Sequence, residues 1–82
     1  MSGYNEVPGQ TVLAKATMIL DAFASIRIAM PLSQLVRTTG LSASTVHRLA
    51  AELVAWGGLE RAESGDYAVG TRLWEIAARL CR

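Results

Sequence analysis

Cys81 is the only cysteine, so no disulfide can close within this chain. One cysteine and one histidine, His47, are too few for a four-ligand zinc site. There is no glycine-rich phosphate loop and no pairing of a nucleophile with a base, so the residues support no enzyme and imply no metal and no cofactor. No apolar run approaches the roughly 20 residues of a membrane span. The opening MSGYNEVPGQ lacks the basic start and apolar stretch of a signal peptide. A cytoplasmic protein with no membrane partner is expected. A strong charge imbalance is missing too: eight basic against seven acidic side chains leave a net charge of +1. Composition alone therefore does not point to nucleic acid.

What is present is apolar. Hydrophobic residues make up 51% of the 82 positions and charged ones only 18%. A chain of this length is one small domain that buries roughly 60% of its extended surface. Some of the apolar surplus is therefore expected to meet a partner. Charge is unevenly spread. Residues 1–50 hold Lys15, Arg27, Arg37 and Arg48 against Glu6 and Asp21. Residues 51–82 hold four arginines against five acids, so the first part is mildly basic and the second slightly acidic.

The segment from Pro31 to Trp56 organises the rest. It reads as a helix over about Leu32–Thr39, a tight turn, and a second helix over about Ala43–Trp56. Gly40 suits the positive φ at which the first helix must stop. Ser42 is a good N-cap, with its hydroxyl in reach of the Thr45 amide. Val46, Leu49, Ala50 and Leu53 fall on one face of the second helix. The opposite face carries Ser44, His47, Arg48 and Ala51. It is polar and short-chained at its start, as a helix laid in the DNA major groove requires. The same spacing also fits an ordinary helical hairpin in any small α domain.

On either side the chain reads as follows. Residues 1–9 form a disordered tail with Gly3, Pro8 and Gly9. A helix from near Gln10 or Thr11 to about Ser25 carries Val12, Ala16, Ile19, Phe23 and Ile26 along one face, with Leu13 and Leu20 beside them. That stripe is wide enough to cover the helix pair and still meet another subunit, although all of it can equally be core. Arg27 to Met30 form a short connector, and Pro31 is tolerated at the start of a helix. Gly57 and Gly58 end the long helix. A hairpin follows, with Leu59 beginning one strand, Ser64-Gly65-Asp66 turning, and Tyr67 and Val69 on the return. It must pack on the helices through Leu59 and Val69, because two strands alone are barely stable. The closing TRLWEIAARLCR is helical, with Leu73, Ile76, Ala77 and Leu80 in one stripe and Trp74, Ala78 and Cys81 in a second. Both faces of a terminal helix can scarcely be buried in so small a domain. This helix is expected to pair with another subunit or to lead into a further domain.

Helix, helix-turn-helix, hairpin and helix in this order is the winged-helix plan: mainly α with a small β-hairpin, a three-helix bundle plus wing followed by a linker helix. The residues resemble the N-terminal DNA-binding domain of the IclR family of bacterial transcriptional regulators. The family's Thr-Gly-Leu block stands here as Thr39-Gly40-Leu41, followed by Ser42-Ala43 and then Ser44-Thr45-Val46-His47-Arg48-Leu49. Gly57-Gly58-Leu59-Glu60-Arg61 matches its approach to the wing, and Tyr67-Ala68-Val69-Gly70 the return. Leu13-Ala14-Lys15-Ala16 looks like its first-helix start. The likeness covers about residues 10–82. It implies a DNA-binding domain over 10–70 and a linker or dimerisation helix over 71–82. It also implies a dimer on operator DNA and a C-terminal domain that senses a small-molecule effector. Several positions depart from the family pattern. Ala43 replaces a frequent Lys or Arg, and Val36 a small alanine. Gly58 replaces an aromatic residue while Trp56 stands where a small one is usual, so the two can compensate in volume. Glu63 and Asp66 make the wing acidic where a basic tip is common.

The candidate DNA contacts are Ser44, Thr45, His47 and Arg48 on the recognition helix, Arg37 and Thr38 on the helix before it, Lys15 with Thr11 on the first helix, and Arg61 with Ser64 on the wing. The Arg48 fork can take guanine O6 and N7 or clamp a phosphate. Against this, Arg48 can pair with Glu52 one turn on. Ser44 can serve as the helix cap instead of Ser42, and His47 can be a solvated surface histidine. Arg37 can likewise be a solvated charge. Val12, Ile19, Trp74 and Ala78 are the candidate dimerisation residues. The reading from another class is a protein-protein interaction module, since fold does not fix function. Salt dependence separates the two.

Overall fold

The structure is a computed structural model that describes residues 11–25 and 29–80. Its elements are α1 (Val12–Ser25), α2 (Leu32–Thr39), α3 (Ala43–Trp56), β1 (Leu59–Arg61), β2 (Tyr67–Val69) and α4 (Thr71–Leu80). The expected tail, the Gln10 start, Ile26, the first two residues of the connector and Cys81 lie outside the described residues.

Each helix of the central pair begins and ends where its residues dictate. Thr39 is followed by Gly40 at φ 76°, whose amide donates to the Val36 carbonyl and closes α2. Ser42 caps α3: its Oγ accepts the Thr45 amide at 3.2 Å. At the far end Gly57 takes φ 99° and its amide bonds the Leu53 and Val54 carbonyls. Both glycines occupy the left-handed region that a side chain disfavours. Thr11 does for α1 what Ser42 does for α3, accepting the Ala14 amide on its Oγ1 at 3.0 Å.

The core is a single cluster with contributions from α1, α2, α3 and the wing. Ile19, Ala22, Phe23, Met30, Leu35, Val46, Leu49, Ala50, Leu59 and Tyr67 are all buried. Leu59 anchors the hairpin as expected, and Val69 is half-buried against the same cluster. The larger anchor is Tyr67, 2% exposed. β1 and β2 pair antiparallel, Leu59 opposite Val69 and Arg61 opposite Tyr67. The connector adds an isolated bridge to the three pairs of the hairpin. Met30 and Tyr67 exchange two backbone hydrogen bonds, each 2.8 Å, so the chain before α2 is stitched to the wing.

The stripe on α1 divides. Ile19 is fully buried, so it has no surface to offer a second subunit and its place among the dimerisation candidates is corrected. Phe23 goes to the core with it. Among the described residues of the stripe, those left uncovered lie in the first turn, with Val12 59% and Leu13 74% exposed. No helix among the described residues is long and apolar enough to cross a membrane.

Candidate nucleic-acid interface

The face of α3 turned away from the core carries Ala43, Ser44, His47, Arg48, Ala51 and Glu52, all exposed. Val46, Leu49 and Ala50 on the opposite side are buried, and they fix the rotation of the helix about its axis. The N-terminal turn is organised by Ser42. Besides capping, its hydroxyl donates to Thr45 Oγ1 at 2.9 Å and lies 3.4 Å from Ser44 Oγ. The cap is therefore Ser42 and not Ser44. Ser44 stays exposed, while Thr45 is half-buried and tied to the cap.

Arg48 does meet Glu52, but loosely. The Nη1–Oε2 distance is 3.9 Å, with the two side chains 58% and 68% exposed. That is longer than a hydrogen bond, and Arg preceding Glu by four is the less favourable order on a helix. Such a solvated pair contributes about 0.3–0.5 kcal/mol at most and leaves the guanidinium available.

On α2, Arg37 and Thr38 are exposed. Gln34 touches both: its Oε1 accepts from Arg37 Nη2 at 2.8 Å and its Nε2 donates to Thr38 Oγ1 at 3.3 Å. Lys15 is half-buried on α1, a different element from the group on α3. Arg61 is folded back on its own hairpin. Its Nε donates to the Gly65 carbonyl at 3.4 Å and its guanidinium carbon lies 5.3 Å from the centre of the Tyr67 ring. A cation over an aromatic face contributes about 0.5–1 kcal/mol at an exposed site, so Arg61 helps to shape the wing. Glu63 is exposed at the tip and Asp66 half-buried beside it, so the wing end is acidic.

The joint between the wing and α4 is where sequence reading falls shortest. Glu60, a wing acid, caps α4: its Oε2 accepts both the Thr71 amide at 3.1 Å and the Thr71 hydroxyl at 2.7 Å. A carboxylate there also meets the positive end of the helix dipole. Arg72 donates from Nε to the Trp56 carbonyl at 2.9 Å and from its amide to the Gly57 carbonyl at 3.1 Å. The first turn of α4 is thus bolted to the end of α3. The Trp56 ring lies over Gly58, where an added Cβ would sit 2.7 Å from two ring carbons. The large residue and the missing side chain do share one volume, as expected. After Leu73 the described side chains of α4 are bare: Trp74 is 64% exposed, and Ile76, Ala77 and Ala78 are exposed. An apolar groove of about 460 Å³ runs beside it, lined by Phe23, Ala68, Val69, Leu73, Trp74 and Ala77. No cluster of side chains suited to a metal occurs among the described residues.

Three helices, a turn between the second and third, an exposed polar face on the third and a hairpin locked to the bundle define a winged helix-turn-helix domain. A family model for the IclR helix-turn-helix domain matches residues 12–63. The chain belongs to the IclR family of transcriptional regulators, and it carries a DNA-binding domain of that class, which is not a class of enzymes. Among solved structures it is similar to an IclR homologue from Microbacterium hydrocarbonoxydans complexed with 4-hydroxybenzoate. That match has 39% identity and a TM-score of 0.78 over 84% of this chain and 29% of that one. It is also similar to HmgR of Pseudomonas aeruginosa, at 32% identity and a TM-score of 0.72 over 78% of this chain and 27% of that one. An IclR-family transcriptional regulator from Brucella abortus matches 98% of this chain and 31% of its own, at 25% identity and a TM-score of 0.79. The chain thus spans less than a third of the length of these relatives. A search of curated proteins finds no match.

Proposed function

We propose that the chain binds operator DNA as a dimer in the cytoplasm, with α3 in the major groove. The observation that carries this reading is the outward face of α3. Ser44, His47 and Arg48 are exposed together on a helix whose rotation is fixed by its buried side. Short side chains at the start let the backbone approach base edges, and a forked cation one turn on can read guanine. Arg37 and Thr38 on α2, with Lys15 on α1, hold phosphates. The wing contributes little charge, because Arg61 is engaged with Tyr67 and Gly65 and the tip is acidic. Dimerisation falls to the bare side of α4, with Trp74 and Ala78, and to Val12 and Leu13 at the start of α1. The binding of 4-hydroxybenzoate by a relative supports small-molecule control through a further C-terminal domain.

The test is enrichment of bound duplexes from a random library, followed by titration against the full site and one half of it. The expected outcome is a two-part site, with the isolated half-site bound at least tenfold more weakly. Equal affinity for both would remove the dimer from the proposal. The second reading, an adaptor that docks a protein through α4, draws on the exposure of Trp74 and Ile76. Failure to enrich any sequence would favour it.

A further inference from the structure

Gln34 was not singled out by the sequence, yet it is the residue that connects the two polar groups of α2. It is half-buried, with its backbone held by the Pro31 carbonyl at 3.0 Å. Its amide has one acceptor and one donor end, and each is matched. Oε1 takes a hydrogen from Arg37 Nη2 at 2.8 Å, and Nε2 gives one to Thr38 Oγ1 at 3.3 Å. Both bonds leave further donors on exposed side chains. Arg37 keeps four of its five N–H groups, enough for a bidentate grip on a phosphate. Because Thr38 accepts from Gln34, its own hydroxyl hydrogen is free to donate.

We propose that Gln34 is a positioning residue, which holds Arg37 and Thr38 together as a preformed pair of donors for one backbone phosphate. This rests on the DNA-binding reading above. Arginine is flexible, and fixing it before the encounter removes ordering that binding would otherwise have to supply. Gln34 touches no phosphate itself. It acts through the two residues it orders.

The experiment uses the 82-residue chain and a random-sequence duplex of about 20 base pairs, titrated across salt concentration. Gln34→Met keeps the length and helix preference of the side chain but cannot hydrogen-bond, so the melting temperature should not move. Its affinity should fall by about three- to tenfold with an unchanged salt slope, because Arg37 still reaches its phosphate but must be ordered first. In an Arg37→Ala background the same change should have a clearly smaller effect. Gln34→Glu should pair with Arg37 and flatten the salt slope by about one unit, the change also expected of Arg37→Ala. If wild type binds and Gln34→Met binds equally well, or loses as much without Arg37, the assignment is overturned alone. A wild-type chain that binds no duplex would overturn the DNA reading and this assignment together.

Discussion

Gly70→Ala should be the most damaging alanine substitution among the described glycines. Gly70 lies between β2 and α4, where its amide donates to the Gly58 carbonyl at 2.8 Å. A Cβ there would run into the Gly57 carbonyl group and come within 3.0 Å of the Leu59 carbonyl carbon. These are backbone atoms, so no side chain can swing aside. Gly57 is itself fixed, with its carbonyl engaged by the Arg72 amide and its φ at 99°. Overpacking of this kind costs about 3 kcal/mol. In a domain of this size that lowers the melting temperature by roughly 12–24 °C. Thermal unfolding followed by circular dichroism measures it. A melting temperature within a few degrees of wild type would mean that the close approach of wing, α3 and α4 is not what holds α4 in place.

Arg48→Ala should separate reading from holding. Arg48 is exposed on the outward face of α3, and its solvated contact with Glu52 offers little to lose. Its removal should weaken cognate binding by about 1–3 kcal/mol and relax the preference at one base pair. Binding to a scrambled duplex should change much less, and folding should shift by no more than about 0.5 kcal/mol. Arg37→Ala should instead weaken both duplexes alike. Titration of both variants against both duplexes at two salt concentrations gives the comparison. Equal losses from Arg48→Ala on both duplexes would make Arg48 a phosphate clamp. Base reading would then fall to Ser44, Thr45 and His47.

Much of the fold is legible because the signals that set it are local. Gly40, Ser42 and Gly57 act within one turn of where they stand, so the bounds of α2 and α3 follow from three residues and an apolar period. The hairpin follows from turn chemistry in the same way. What sequence reading misses is carried by pairs far apart along the chain. Glu60 caps a helix eleven residues on, and Arg72 reaches a carbonyl sixteen residues back. Met30 and Tyr67 form a single rung, too short to leave any periodicity. The error over Ile19 has a different cause. Periodicity identifies which face of α1 is apolar, but not which part of it the other elements cover. Here they cover the middle and the later turns and leave Val12 and Leu13 bare. At the site, the exposed face of α3 was readable from spacing. The engagement of Arg61 within the wing was not, because it depends on where Tyr67 places its ring.

On the proposed reading, the outward face of α3 and the basic residues around it bind duplex DNA through its phosphates and bases. The most direct measurement is the affinity of the chain for a duplex carrying its selected site, taken across a series of salt concentrations. If each subunit neutralises about three phosphates, a dimer should give a log–log slope near −5, from about −0.9 per phosphate. A binding constant that stays flat as salt rises would rule out phosphate contacts and leave apolar docking through α4 as the way this domain meets its partner.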